Sequence, residues 1–84
     1  MQPSEQPQDI QALTFGQKAV GIGFNPSGDK VVYATKTYFA AAIDQVHAIR
    51  EQSEDPEVKR MCSVSITELQ TAQMWAVKAA TWGN

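Results

Sequence analysis

Cysteine and histidine are nearly missing from this 84-residue chain: Cys62 and His47 are the single examples of each. One cysteine excludes a disulfide framework within the chain and fits a reducing compartment. One Cys and one His are too few for a tetrahedral zinc site, so neither a metal nor a cofactor is expected. No Ser–His–Asp, Cys–His or paired-carboxylate arrangement stands out, and the chain is not expected to be an enzyme. Positive charge is also short, with seven Lys and Arg against nine Asp and Glu and a net charge of −2. Duplex DNA needs a broad basic face, so DNA is not an expected partner. A small anion needs only one or two well-placed cations and stays open. No apolar run approaches the ~20 residues of a membrane span. The opening "MQPSEQPQD" lacks the apolar segment of a signal peptide. A soluble, intracellular protein without a membrane partner is expected. A chain this short makes one domain with a modest core, which self-association would enlarge.

What is present is helical pattern. Residues 1–9, rich in Pro, Gln, Ser and acid, are expected to be a mobile arm. "IQALTFGQKAVGI" (10–22) reads as a short helix or irregular segment with an apolar edge at Ile10, Leu13 and Phe15, interrupted by glycine. Residues 1–22 are thus assigned to a partly ordered N-terminal arm and 23–84 to a helical hairpin that binds a ligand. Val32, Lys36, Phe39, Ile43, Val46 and Arg50 recur every three or four positions and form a helical seam running to about Glu51. Asn25 or Ser27 is the expected cap, with Pro26 in the first turn and Asp29 near the positive helix end. "EQSEDPE" breaks the chain. Ser53 or Asp55 then caps a second helix from about Asp55 to Ala80, with Pro56 in its first turn and Gly83 as its stop. Val58, Cys62, Ser65, Leu69, Ala72, Ala76 and Ala79 form its small-residue stripe. Two helices of about 35–39 Å joined by a short polar link pack antiparallel. The expected fold is therefore all-α, a two-helix hairpin behind a short N-terminal segment. Met74, Trp75, Trp82, Tyr38 and Val31 do not all fit on one inner face, so a symmetric homo-oligomer is expected.

The stretch "GFNPSGDK" (23–30) carries the candidate site. A helix start offers free N–H groups and a partial positive charge. Gly28 permits close backbone approach, Asn25 and Ser27 can donate, and Phe24 gives a flat face for a base. Lys36 lies ~11–12 Å further along the axis. A cation in an apolar seam snorkels, pairs with an acid of another helix, or meets a bound phosphate. Arg60, Ser63, Thr67, Gln70 or Thr71, and Met74 share one face of the second helix, suited to a base edge and a phosphate. Equally, Thr67 and Thr71 can bond back to the preceding turn, and Arg60 can pair with Glu57. His47 is expected to be solvated or partnered with Asp44 or Glu51, and Cys62 to be a small core residue.

The segment "AVGIGFNPSGDKVVYATKTYFAAAID", followed by "DPEVKRMCSVSITELQTAQMWAVKAATW", resembles the helical-hairpin domain of phage cyclic-nucleotide sponges. These are the anti-CBASS proteins, whose domain also occurs in an anti-Thoeris group. The resemblance covers roughly residues 18–82 and rests on "FNPSG", Lys36 and "SITELQTAQMWAVKA". It implies a homohexamer in the cytoplasm of an infected bacterium. That hexamer binds cyclic di- and trinucleotide messengers of antiphage defence and withholds them without catalysis. It implies that a dinucleotide sits between two protomers, with Phe24 and Lys36 at the positions of the family's aromatic and lysine. The better-known members have a tyrosine-containing segment where this chain has "GFNPSG". Arg60, Thr67 and Thr71 are the carry-over for a second, trinucleotide site. The competing expectation is a structural or adaptor hairpin that binds another protein through its Met/Trp/Ala face. There the loop is only a cap and Lys36 only snorkels.

Overall fold

The computed structural model describes residues 12–83, and the expected arm at 1–9 lies outside them. The described residues form three helices and no strand: α1 (Phe15–Ala19), α2 (Lys30–Gln52) and α3 (Pro56–Ala80).

The irregular-looking stretch before residue 23 is a fully capped helix. Thr14 and Gln17 form a reciprocal capping box: Gln17 N–H donates to Thr14 Oγ1 at 3.1 Å and Thr14 N–H donates to Gln17 Oε1 at 2.9 Å. At the other end Ile22 N–H donates to the Gln17 carbonyl and Gly21 N–H to the Lys18 carbonyl. Gly21, at φ 63°, takes the left-handed conformation that this helix ending requires. A five-residue helix has little stability of its own. Packing on α2 supplies it, and Gly16 makes the packing possible. A Cβ at Gly16 would overlap the backbone carbonyl of Ala40. Gly16 N–H also donates to Asp44 Oδ1 at 2.6 Å, so α2 provides a carboxylate at the start of α1.

α2 starts two residues later than "FNPSG" suggests. Asn25–Gly28 is a β-turn, closed by Gly28 N–H donating to the Asn25 carbonyl at 3.0 Å, with Pro26 second and Gly28 last at φ 64°. The cap is Asp29, whose Oδ1 accepts from Val31 and Val32 N–H at 2.8 and 3.1 Å, and not Asn25 or Ser27. Asn25 works one step earlier. Its amide accepts from Asp29 N–H and donates to the Asp29 carbonyl, fixing the cap residue in place.

The α2–α3 link is Ser53–Asp55. Asp55 caps α3 by accepting from Glu57 N–H, with Pro56 in the first turn, while Ser53 Oγ accepts from Asp55 N–H. Arg50 Nη1 donates to Ser63 Oγ and Lys59 Nζ donates to the Arg50 carbonyl, so the two helices run antiparallel from this end. α3 closes on Thr81 rather than on Gly83, with Thr81 N–H donating to the Val77 carbonyl.

The core joins all three helices. Ile43 is fully buried and packs with Val20, Ala40 and Ile66, flanked by Ile22, Phe39, Val46 and Leu69. On α2 the seam residues Val32, Lys36 and Ile43 are buried and Phe39, Val46 and Arg50 half-buried, with Ala40 buried beside them. On α3 the buried positions are Cys62, Ile66 and Gln73, with Val58, Leu69 and Ala76 half-buried. The expected stripe thus faces inward at Val58, Cys62, Ser65, Leu69 and Ala76 but not at its remaining two alanines. Ala72 and Ala79 face solvent, and the branched Ile66 fills the space opposite Ile43. His47 departs from expectation as well. Its ring stacks on Phe15 with centroids 4.2 Å apart, and Arg50 Nη2 donates to its Nδ1 at 3.0 Å. A guanidinium only donates, so Nδ1 is the accepting nitrogen. Asp44 is taken up by Gly16 instead.

The described Cα atoms lie in a slab at most 12 Å thick. Two stacked helical layers need about 13–15 Å between their outer Cα atoms, so the helices form one layer. One layer leaves both broad faces open. Val31, Tyr38, Met74, Trp75 and Trp82 all stay largely exposed, as the helix patterns require.

Candidate functional site

Lys36 sits at the middle of the α2 seam and is 5% exposed. It neither snorkels out nor finds an acid: among the described residues, no carboxylate forms an ion pair with it. Its Nζ donates to two backbone carbonyls, Gly21 O at 2.9 Å and Phe24 O at 2.6 Å. Those carbonyls are the first and last of one β-turn, which Phe24 N–H closes on Gly21 O at 2.9 Å. The Phe24 ring centroid lies 5.6 Å from Nζ, within cation–π range. The ring itself is 75% exposed. The result is a flat aromatic face open to solvent beside a buried ammonium held by neutral dipoles. Charged oxygens make stronger partners for an ammonium than peptide carbonyls do. An ammonium has three protons, and two of them are placed on carbonyls here.

The helix start contributes differently from the sequence expectation. Val31 and Val32 N–H, which would face an anion, are held by the Asp29 carboxylate. Asn25 is engaged with Asp29 at both ends of its amide. Ser27 is exposed, and Gly28 serves the turn through its positive φ. The fold thus links Phe24 and Lys36 directly and places Asn25, Ser27 and Gly28 in the adjoining turn.

Arg60, Thr67 and Thr71 lie elsewhere, on the exposed face of α3. Arg60 makes a bidentate ion pair with Glu57. This pairing holds the Glu57 carboxyl below its ordinary range and the Arg60 guanidinium above its own. Thr71 Oγ1 donates to the Thr67 carbonyl, the back-bond available to a mid-helix threonine. Gln70, from the same expected face, turns inward, and its Nε2 donates to the Ala19 carbonyl at 3.3 Å.

Two residues essential to this arrangement are not among the expected ligand contacts. Gly21 supplies both the left-handed turn and a carbonyl for Lys36; a glycine pair opposite a seam lysine is its only sequence sign. Asp29 displaces the expected anion from the helix start, and its place one residue before Lys30 is the signal. At the far end of α3, Trp75, Lys78, Ala79 and Trp82 line a shallow apolar recess, with Lys78 Nζ 5.9 Å from the Trp82 ring.

No curated protein and no solved structure matches the chain significantly. The family model described as Acb2/Tad1, hairpin domain, matches residues 17–81, from α1 to the cap of α3, and the chain belongs to that family.

Proposed function

We propose that this protein is a non-catalytic sponge for cyclic di- and trinucleotide messengers of bacterial antiphage defence, acting in the cytoplasm of the infected cell. One observation carries the reading: the buried ammonium of Lys36 beside the exposed ring of Phe24, in a chain of this family. A cyclic dinucleotide presents flat bases and phosphate oxygens a few ångströms apart. Phe24 offers the stacking face and Lys36 the remaining proton for a phosphate oxygen. Asn25, Ser27 and Gly28 lie in the adjoining turn and are proposed as further contacts. With the broad faces of a one-layer fold open, a second protomer completes it, and a hexamer is the assembly proposed. Arg60, Thr67 and Thr71 on α3 are proposed for a trinucleotide, which exchanges Glu57 for a phosphate on Arg60.

A ligand that binds only the folded form raises the melting temperature by mass action. Thermal denaturation with and without a panel of cyclic di- and trinucleotides tests the reading. At least one should raise the midpoint, and Phe24→Ala should remove the rise with the oligomer intact. An undiminished rise in Phe24→Ala places the site elsewhere. The adaptor reading is favoured by Trp75 and Trp82, 66% and 78% exposed around an apolar recess. It predicts no shift with any nucleotide.

A further inference from the structure

We propose that Lys36 is a positioning residue as well as a ligand contact: its ammonium clamps the Gly21–Phe24 turn and so sets where the Phe24 ring stands before any ligand arrives. The inference deepens the sponge reading, which it needs only for the class of ligand.

The first half of the turn is tied to α1, through Gly21 N–H to the Lys18 carbonyl and Ile22 N–H to the Gln17 carbonyl, but its second half has little to define it. Two of its four residues, Gly21 and Gly23, are glycines, the residue with most backbone freedom to lose. Its internal closure is the single bond from Phe24 N–H to Gly21 O. The Phe24 side chain is too exposed for packing to hold it. Lys36 is the opposite case. It projects from a long helix, and its neighbours one turn away on either side, Val32 and Ala40, are buried. A rigid donor therefore meets a soft acceptor, and the helix dictates the shape of the loop. The two bonds fall on the outer carbonyls of the turn, at 2.9 and 2.6 Å, so Nζ ties its ends together. Being charge-assisted, they are stronger than the one neutral bond they reinforce. One clamped carbonyl belongs to Phe24 itself, so the backbone that carries the ring is tied to the cation, and the ring centroid stands 5.6 Å from Nζ. The clamp uses two of the three ammonium protons, so by donor count it is compatible with one further contact to a phosphate oxygen. Platform and cation are then one unit, and removing the ammonium removes both.

Amide hydrogen exchange of the ligand-free protein tests this without reference to any nucleotide. Lys36→Met keeps the length and burial of the side chain and deletes the donors. The Ile22 and Phe24 amides, which donate to the Gln17 and Gly21 carbonyls, should exchange at least tenfold faster in Lys36→Met, with Ile43 and Ile66 still protected. Unchanged exchange at those loop amides in the folded variant overturns the proposal. Where the variant loses core protection too, nitrogen-15 NMR of the wild-type lysine side chains decides. The Lys36 ammonium protons should exchange at least tenfold more slowly than those of exposed Lys30 and Lys78. Equal rates overturn the proposal. Both readouts need no ligand, so they stand or fall independently of the sponge reading.

Discussion

Gly16, Ile43 and Phe24 show how differently single positions bear on this fold. Gly16 is where α1 touches the α2 backbone. A methyl group there pushes against a carbonyl with no freedom to yield. Gly16→Ala should cost about 1–3 kcal/mol, the usual range for overpacking, despite the better helix propensity of alanine. Ile43, fully buried at the junction of three helices, should cost about 2–5 kcal/mol when cut to alanine. In a domain this small that is enough to leave a large unfolded fraction at room temperature, visible in urea titrations followed by circular dichroism. Phe24→Ala should change stability by no more than about 0.5 kcal/mol, because the ring is exposed, while removing the ligand-induced thermal shift. That split between stability and binding is what separates a platform from a core residue.

At the scale of elements, the helix ends carry the next terms. Asp29 and Asp55 each satisfy first-turn N–H groups, and replacing either with alanine should cost about 1 kcal/mol in denaturant unfolding. Glu57, in the first turn of α3, has its carboxyl pKa lowered by the Arg60 pair. In the folded state it takes up its proton at lower pH than in the unfolded chain. The stabilisation is therefore complete above the ordinary carboxylate pKa and is lost as pH falls through the lowered folded value. Both groups are exposed, so the effect on global stability is small and screened by salt. The direct readout is NMR titration of the Glu57 carboxyl, whose midpoint should move up in Arg60→Ala; an unmoved midpoint removes Arg60 as the cause. Much of this element structure was legible beforehand. The α2 seam through Val32, Lys36 and Ile43 and the Asp55–Pro56 start of α3 follow directly from three-and-four spacing and cap chemistry. α1 was harder, since five residues give no periodicity, although Thr14–Gln17 already spelled a capping box. On α3 the spacing of Val58, Cys62, Ser65, Leu69 and Ala76 does mark the inner side, while Ile66 and the polar Gln73 also take buried positions and Ala72 and Ala79 do not. The partners of Lys36 were not legible at all. Its burial followed from the seam, but the Gly21 and Phe24 carbonyls reach it through a left-handed turn that no local spacing encodes.

The whole molecule is one helical layer with aromatic residues left on its faces, and its behaviour in solution should reflect that. Self-association that covers Trp75 and Trp82 should blue-shift their fluorescence, and dilution should reverse the shift as the assembly dissociates. A concentration-independent emission typical of exposed tryptophan, with a monomer mass in sedimentation, contradicts an oligomeric site. None of the described helices is long and apolar enough to cross a membrane. The most direct test of the central claim is calorimetric titration of the protein with cyclic di- and trinucleotides, followed by heat denaturation and chromatography of the released ligand. The account predicts saturable binding of at least one of them and its recovery intact. Absence of binding across the panel, or recovery of a linear hydrolysis product, contradicts it.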